Sequence, residues 1–227
     1  MLKTNYNEEF CMANDFNGDF FLALMEAGFL IMSMELKEPE AGGEKNIDGQ
    51  GGRFFLLLPK LHLTRSVLFF SDLRIKKRIR PLLSRYELRT DTDFDLILDK
   101  CIQKHGDAWL TPPLVENLKN MHRDSTQKQK GARPFSFALY RNGELKAGEF
   151  GVVVGRVYTS YSGYYEEDNA GTVQIILMAQ WMEKSGFDFL DLGMPMDYKS
   201  SLGAQNIEPQ HFVELFRKAR GPLHNES

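Results

Sequence analysis

The sequence predicts an α+β protein, and three observations support this fold class. A run of strand-like segments joined by short turns occupies about 135–162. Asn142-Gly143 lies between two of these segments, and both central residues of a type I′ hairpin turn need positive φ. An apolar helical stretch over about 170–184 is stopped by Gly186, and one more short strand follows it. A meander that leads into a helix and then into a strand is typical of an α+β layered fold.

The individual elements of this region follow from local patterns. The second strand, at about 144–154, contains Gly148 and Gly151, which predict a bulge or a close approach of another chain segment. A third strand is predicted at 157–162. The helix at 170–184 is apolar on nearly all sides. It is therefore expected to be buried against the sheet.

The chain before and after this region alternates helical and extended patterns. The segment 37–53 is rich in glycine and charge and lacks periodicity, so it is predicted to be a loop. Helices begin after capping residues and end near glycines, while strands are short apolar runs. Further helices are predicted at about 16–27, 92–105, 112–121 and 209–220, and further strands at about 29–36, 53–58 and 61–69.

Composition limits the possible classes of protein. A length of 227 residues allows one large domain or two small ones, and 42% hydrophobic with 26% charged residues is usual for a globular protein. The two cysteines, Cys11 and Cys101, lie far apart without ligand-type neighbours, so neither a metal site nor a disulfide framework is expected. No apolar run approaches the roughly 20 residues of a membrane span. No export signal is recognised, and a reducing, cytoplasmic location without membrane contact is predicted.

A basic stretch at 74–89 has two interpretations. The net charge of −3 does not indicate a nucleic-acid-binding protein as a whole, so a local patch has to be considered separately. Clustered Lys and Arg can bind a phosphate backbone. The alternative is a solvated helix face. The basic residues of this stretch are Arg74, Lys76, Lys77, Arg78, Arg80, Arg85 and Arg89, with only Glu87 opposing them.

An acidic loop, Glu166-Glu167-Asp168, precedes the apolar helix. Acyltransferases of the GNAT fold use a basic, glycine-rich loop at this place to hold the pyrophosphate of coenzyme A. Three carboxylates would repel that anion, although they could also simply complement the helix dipole. With either interpretation, coenzyme A is not the expected ligand.

Two further features are candidates for a site. Asp191 ends an apolar strand close to Gly193, where a carboxylate can orient an amine or act as a base, or can be a structural ion-paired or capping residue. Four tyrosines at 158, 161, 164 and 165 flank Ser162-Gly163. They could line a pocket, or part of them could belong to the core. His62 and His105 have no triad-like neighbours and are interpreted as structural.

Five short motifs in register resemble the leucyl/phenylalanyl-tRNA–protein transferases. The similarity covers about 14–212 and is densest over 106–204. The motifs are Trp109-Leu110-Thr111-Pro112, the run Gly151 to Arg156, Asn169-Ala170, Gly186-Phe187-Asp188 with Leu190-Asp191, and Ser201-Leu202-Gly203-Ala204.

The resemblance implies a two-part protein. It implies a small N-terminal α+β domain over 1–90 that carries the basic tRNA-contacting stretch. A GNAT-like domain with a mixed, mainly antiparallel sheet would then cover 91–227. The implied activity is transfer of Leu or Phe from aminoacyl-tRNA to a protein N-terminus that begins with Arg or Lys, which marks that protein for degradation. The resemblance implies a monomer that needs no cofactor and no metal.

The resemblance also implies roles for particular residues. Asp191 falls at the catalytic aspartate. The chain has Gly193 where the family has a glutamine, and Tyr161 where it has a glutamate. A different acceptor, such as a small amine, a peptide or a lipid headgroup, and a tRNA- or degron-binding module without catalysis are therefore kept as alternatives. The expected tRNA contacts are Arg65, Arg74, Lys76, Lys77, Arg78 and Arg80, and the expected substrate contacts are Tyr161, Ser162, Gly163, Tyr164, Asn169 and Gly193.

Overall fold

The computed structural model describes residues 10–36, 54–128 and 131–222. Within these ranges the helices are α1 Gly18–Glu26, α2 Arg80–Leu83, α3 Phe94–His105, α4 Pro112–Lys128, α5 Ala170–Lys184, α6 Asp197–Ser201 and α7 Pro209–Arg220. The strands are β1 Leu30–Leu36, β2 Phe54–Lys60, β3 Arg65–Leu68, β4 Glu87–Thr90, β5 Arg133–Arg141, β6 Glu144–Val154, β7 Val157–Tyr165, β8 Phe189–Asp191 and β9 Gln205–Ile207.

The strands form two sheets. β1 and β2 pair in an antiparallel ribbon. The other seven form one sheet in the order β4-β5-β6-β7-β8-β3-β9. Its neighbours are antiparallel except for β7 and β8, which are parallel and are connected through α5. The predicted α+β fold with a mixed, mainly antiparallel sheet is confirmed.

Two strands of the large sheet come from the first 90 residues. β3 pairs with both β8 and β9, and β4 pairs with β5 at the sheet edge. The expected boundary near residue 90 therefore passes through one continuous hydrogen-bonded sheet. The division into domains 1–90 and 91–227 remains a prediction.

Helices cover both faces of this sheet. One apolar cluster joins α1, α3, α4 and α7 to one face, and Phe21, Ile97 and Phe212 are fully buried within it. The other cluster centres on α5, where Val173 and Met182 are fully buried. The prediction that α5 is a buried helix is therefore confirmed.

The glycines of β6 mark a close approach and a bulge, as predicted. A Cβ on Gly151 would lie 2.1 Å from the backbone oxygen of Thr159, and one on Gly148 would lie 2.7 Å from the ring of Tyr164. The register between β6 and β7 shifts at Phe150/Gly151, which leaves Tyr161 as the extra residue of the bulge. Bulges of this kind re-aim side chains, often beside active sites.

Several predicted elements differ in extent. β2 continues through Pro59 to Lys60, and β3 is shorter than the predicted strand at 61–69. Instead of one helix, the basic stretch contains irregular chain, the short α2 with Pro81 in its first turn, and β4. The short strand β9 was not predicted. The predicted loop at 37–53 lies outside the described residues.

No helix among the described residues is long and apolar enough to cross a membrane.

Candidate functional site

A cavity of about 740 Å³ opens where the parallel strands β7 and β8 stop pairing. Their last pair is Thr159 opposite Asp191. Beyond it, Ser160 and the following residues form one wall, while Leu192 to Met194 form another. The first turn of α5, the ribbon strand β1 and the short helix α6 complete the walls. A cleft at the end of diverging strands, closed by a helix N-terminus, is a usual place for a ligand.

The walls combine apolar surface with few charges. Leu30, Met32, Trp109, Ile175 and Leu192 are among the apolar residues that line the cavity. At its mouth, four large side chains remain between 45% and 55% exposed: Tyr165, Met194, Met196 and Tyr198. The ionisable lining groups other than tyrosines are Lys60, His62, His105, Glu149, Asp168 and Lys199.

The cavity brings together all six residues predicted to contact substrate, which come from β7, the start of α5 and the loop after β8. These residues are Tyr161, Ser162, Gly163, Tyr164, Asn169 and Gly193. Their shared position agrees with a common site, while their individual roles remain predictions.

Tyr161 connects this wall to the two-stranded ribbon. Its hydroxyl accepts a hydrogen bond from the N–H of Ile31 at 3.3 Å and lies 3.5 Å from the carbonyl oxygen of Phe29. Burial raises the pKa of this phenol, so the hydroxyl stays protonated. Because Tyr161 is the bulged residue of β7, its ring reaches across to β1.

The acidic loop before α5 is largely engaged by basic partners. Glu166 pairs with Lys100 at 2.9 Å, and Glu167 accepts from Tyr86 at 2.5 Å and from Arg141. Asn169 adopts a left-handed conformation with φ 67° and makes no side-chain cap to α5. Its exposed side chain therefore remains available at the cavity wall.

Asp191 is fully buried, and its carboxylate accepts hydrogen bonds from three donors. Its Oδ2 accepts from the Arg65 guanidinium and from the Thr159 hydroxyl at 3.0 Å. Its Oδ1 accepts from the backbone N–H of Gly193 at 2.9 Å. The cavity is lined by the neighbours of Asp191 and not by Asp191 itself. This arrangement fits an orienting role and not direct contact with an incoming amine.

Arg65 is also fully buried, and the prediction that it contacts tRNA is wrong. Besides Asp191, it donates to the carbonyl of Gly28 at 2.7 Å. Its guanidinium stacks over the ring of Phe212 at 4.3 Å. An arginine with no exposed surface cannot reach a phosphate on the outside of the protein. It instead connects β3 to α1 and α7 behind the cavity.

Gly193 has φ 70°, a conformation that favours glycine. Its carbonyl accepts from the N–H of Ser66 at 2.7 Å, and its N–H points to Asp191. A Cβ at this position would lie 3.7 Å from Nε2 of His62. Space is therefore available next to Gly193, and the backbone is shaped by the contacts of Asp191 and β3.

Glu149, Lys199 and His62 are buried ionisable residues of the cavity that were not predicted as site residues. Burial raises the pKa of Glu149 from 4.5 to about 7. Burial lowers the pKa of His62 to about 3, with Arg65 and Lys60 adding to the effect, so this imidazole is neutral. Burial also lowers the pKa of Lys199, which donates to the carbonyls of Leu192 and Met194 at 2.6 and 2.8 Å. A lone glutamate within the apolar strand β6 is the signal that could have indicated Glu149.

The basic segment, defined here as residues 74–80, is joined at one end to the turn after α6. Its N-terminal end is fixed to the turn after α6, since the N–H of Arg74 donates to the carbonyl of Leu202 at 2.8 Å. A Cβ on Gly203 would lie 1.9 Å from the backbone oxygen of Asp72, so the two chains touch closely. The same α6 supplies Tyr198 and Lys199 to the cavity. The five cations of this segment are exposed: Arg74, Lys76, Lys77, Arg78 and Arg80.

Over residues 10–36, 54–128 and 131–222, no group of three or more His, Cys, Asp or Glu side chains could hold a metal ion.

Comparisons with known proteins agree on one family. A family model described as leucyl/phenylalanyl-tRNA protein transferase matches residues 67–217. A relative of that name from Pseudomonas putida is 30% identical over 155 residues, which cover 66% of this chain and 66% of the relative. Another, from Maridesulfovibrio salexigens, is 26% identical over 171 residues, which cover 74% of this chain and 65% of the relative. These matches span just under two thirds of each relative's length.

A solved structure described as L-PGS from Bacillus licheniformis is also similar in part. It superposes with a TM-score of 0.45 and 11% identity, over 70% of this chain and 65% of that one.

Proposed function

Because the chain belongs to the leucyl/phenylalanyl-tRNA protein transferase family, we propose that it transfers an aminoacyl group from aminoacyl-tRNA to the N-terminal amine of a protein. Leu or Phe is the proposed cargo, and an N-terminal Arg or Lys is the proposed acceptor. In this proposal the enzyme acts as a cytoplasmic monomer, and its two parts, 1–90 and 91–227, contribute the basic segment and most of the cavity.

One observation carries the proposal: α6 connects an apolar cavity to an exposed row of cations. The basic segment is hydrogen-bonded to the turn that follows α6, and α6 forms part of the cavity. A polyanion held along residues 74–80 would therefore have one end near α6. An aminoacyl ester on the terminal nucleotide could then enter the cavity while the phosphates stay outside.

The lining suits a large apolar amino-acid side chain. Trp109, Tyr161 and Leu30 offer aromatic and aliphatic surface. Ser162 and Asn169 add polar atoms that could orient the ester or the terminal ribose. Gly163 and Gly193 contribute backbone without side-chain bulk, and Tyr164 borders the same wall.

The chemistry needs placement more than activation. An ester carbonyl is already reactive toward an amine, so holding the two groups about 3 Å apart supplies most of the rate. We assign Asp191 as a positioning residue for this step. It holds the N–H of Gly193 and the guanidinium of Arg65, and thereby fixes the ends of β7, β8 and β3 that frame the cavity.

A transfer assay tests the proposal directly. The protein is incubated with tRNA charged with labelled Leu or Phe and with peptides that begin with Arg, Lys or Ala. Label on the Arg or Lys peptide supports the proposal. Label on another amine supports the alternative of a different acceptor, and tRNA binding without transfer supports a binding module. An N-acetylated Arg peptide is the matched control, because its nitrogen cannot attack.

The role of the basic segment has its own test. Neutralising Lys76, Lys77 and Arg78 to Ala should reduce the salt dependence of tRNA binding, because each lost phosphate contact removes about 0.7–0.9 from the slope of log K against log salt. A reduction of about 2 is expected by filter binding at several salt concentrations. The control variant Arg217→Ala/Lys218→Ala changes exposed cations of α7, and its slope should equal that of the wild type. Equal slopes for both variants would contradict the assignment.

A further inference from the structure

Glu149 lies on β6, an interior strand of the large sheet, and its side chain lines the cavity. It is a residue of β6, opposite Gly163 of β7 and Phe137 of β5. Its side chain lines the cavity and keeps only 6% of its surface exposed. The other carboxylate among the lining residues, Asp168, is exposed at the start of α5. Glu149 is therefore the buried acid of this site.

One carboxylate oxygen of Glu149 is unpaired. Its Oε1 is buried and has no hydrogen-bond partner among the described residues. The nearby cation, Lys199, uses two of its N–H groups on the carbonyls of Leu192 and Met194. No ion pair joins Glu149 to a described basic residue within 4 Å. A buried acceptor in this state is costly and needs an explanation.

The surroundings of Glu149 raise the pKa of its carboxyl to the neutral range. Burial is the largest influence and raises its pKa to about 7, although Ser160 and Lys199 act in the opposite direction. The other titratable groups that interact with it are Cys101 of α3, Tyr158 of β7 and Tyr198 of α6. Burial raises the pKa of all three, to about 12 for Cys101 and Tyr198, so they are neutral near pH 7. A carboxylate with this pKa is well matched to proton transfer at neutral pH.

An unpaired, buried carboxylate oxygen fits a hydrogen-bond donor, and a donor with positive charge also compensates the charge of the carboxylate. An anion would be repelled, and a single carboxylate does not make a metal site. A primary ammonium supplies three donors, and one can bond to Oε1. A neutral acceptor such as an ester oxygen offers no hydrogen for this position. The part of the cavity around Glu149 is therefore suited to an ammonium group.

We propose that Glu149 receives the N-terminal ammonium of the acceptor and accepts one of its protons, which makes it a catalytic residue. This inference rests on the proposed transfer function. The nitrogen gives one proton to the Glu149 carboxylate and becomes a free amine. Its lone pair then forms the bond to the ester carbonyl carbon, the bond from that carbon to the ribose oxygen breaks, and the second proton of the nitrogen passes to that oxygen. Glu149 finally releases its proton to solvent.

The test uses Glu149→Gln, which keeps the size of the side chain and removes its basicity. Glu144→Gln is the matched control, because Glu144 is an exposed glutamate of the same strand, paired with Lys146 at 2.5 Å. Transfer to an Arg-starting peptide is measured at saturating charged tRNA across pH 5.5–9. For the wild type, kcat should fall as the pH is lowered through about 7. Glu149→Gln should lose at least about 100-fold in kcat at pH 7. Its remaining limb should follow the peptide amine itself, at about pH 8.

A binding measurement decides the ammonium contact without turnover. The Arg peptide and its N-acetylated form are titrated into the wild type and into Glu149→Gln. The wild type should prefer the free ammonium at least tenfold, and Glu149→Gln should lose that preference. If the wild type transfers no label at all but keeps this preference, the proposed function fails while the ammonium site stands.

Three results would overturn the inference. One is a kcat for Glu149→Gln within threefold of the wild type. Another is equal affinity of the wild type for the free and acetylated peptides. The third is a Glu149→Gln variant that loses affinity only for an amide analogue of phenylalanyl-adenosine, since this would assign Glu149 to the ammonium of the donor.

Discussion

Asp191 and Glu149 are the two buried carboxylates of the described residues, and their surroundings are opposite. Asp191 accepts from Arg65, Thr159 and the N–H of Gly193, and it is shielded from the cavity. Glu149 faces the cavity with one oxygen unpaired. A carboxylate surrounded by donors holds structure in place. One that keeps an unpaired oxygen facing a cavity can accept a hydrogen bond from a ligand.

The surroundings of a buried carboxylate indicate whether it supports the structure or can react. Burial alone does not distinguish them, because neither has more than 6% of its surface exposed. The two acids differ in the number of donors that surround them and in whether they contact the cavity. Three substitutions test whether the two acids differ in this way, and the change expected in the free energy of unfolding decreases from one to the next.

Removal of the cation beside Asp191 should be the most damaging change. Arg65→Met would leave the carboxylate buried without its charge partner and would also remove the bond to the carbonyl of Gly28. We expect a loss of about 3–5 kcal/mol in the free energy of unfolding, because an uncompensated buried charge is expensive. Urea unfolding at pH 7 measures it.

An exposed arginine provides the matched control for this change. Arg74→Met, in the basic segment, should stay within about 0.5 kcal/mol of the wild type. A loss below 1 kcal/mol for Arg65→Met would show that the Arg65–Asp191 pair does not hold the sheet ends together.

Replacing Glu149 should instead increase the free energy of unfolding at neutral and higher pH. The pKa of this carboxyl is raised in the folded protein from 4.5 to about 7. The folded state therefore binds the proton more tightly than the unfolded state. The resulting stability is fully present below about pH 4.5 and is lost as the pH rises through 7. The rise in pKa corresponds to about 3 kcal/mol.

Glu149→Gln should consequently equal the wild type near pH 4 and exceed it by about 3 kcal/mol at pH 8. Urea unfolding of both proteins across this range measures the difference. Glu144→Gln should show no such trend, because the carboxylate of Glu144 is exposed and paired with Lys146. A constant difference between wild type and Glu149→Gln from pH 4 to pH 8 would contradict the raised pKa.

Removal of one neutral donor from Asp191 should have the smallest effect. Thr159→Val keeps the shape of the side chain and deletes the hydroxyl that donates to Oδ2 at 3.0 Å. We expect a loss of about 2 kcal/mol in the free energy of unfolding, the usual value for a hydrogen bond to a charged group. Thr90→Val, on the edge strand β4, should change it by less than about 0.5 kcal/mol. Equal effects of the two variants would mean that Asp191 does not depend on Thr159.

Local chemistry was sufficient for much of the fold. Asn142-Gly143, Gly155 and Gly186 marked the ends of β5, β6 and α5, since each turn needs backbone conformations that few residues adopt. The apolar residues on nearly all sides of α5 predicted its burial. Strands β4 and β9 were missed because they are three or four residues long and gain their order from pairing with β5 and β3.

The site was predictable only in part. The motifs in register indicated one family, and this was enough to predict that the tyrosine-rich end of β7, the start of α5 and the residues around Asp191 belong together. Which acid faces the cavity could be seen only in the folded chain. That choice depends on which donors surround Asp191 and Glu149, and those donors come from strands distant in sequence. The burial of Arg65 could not be predicted for the same reason. The charge of a side chain does not reveal whether the folded core contains a carboxylate that pairs with it.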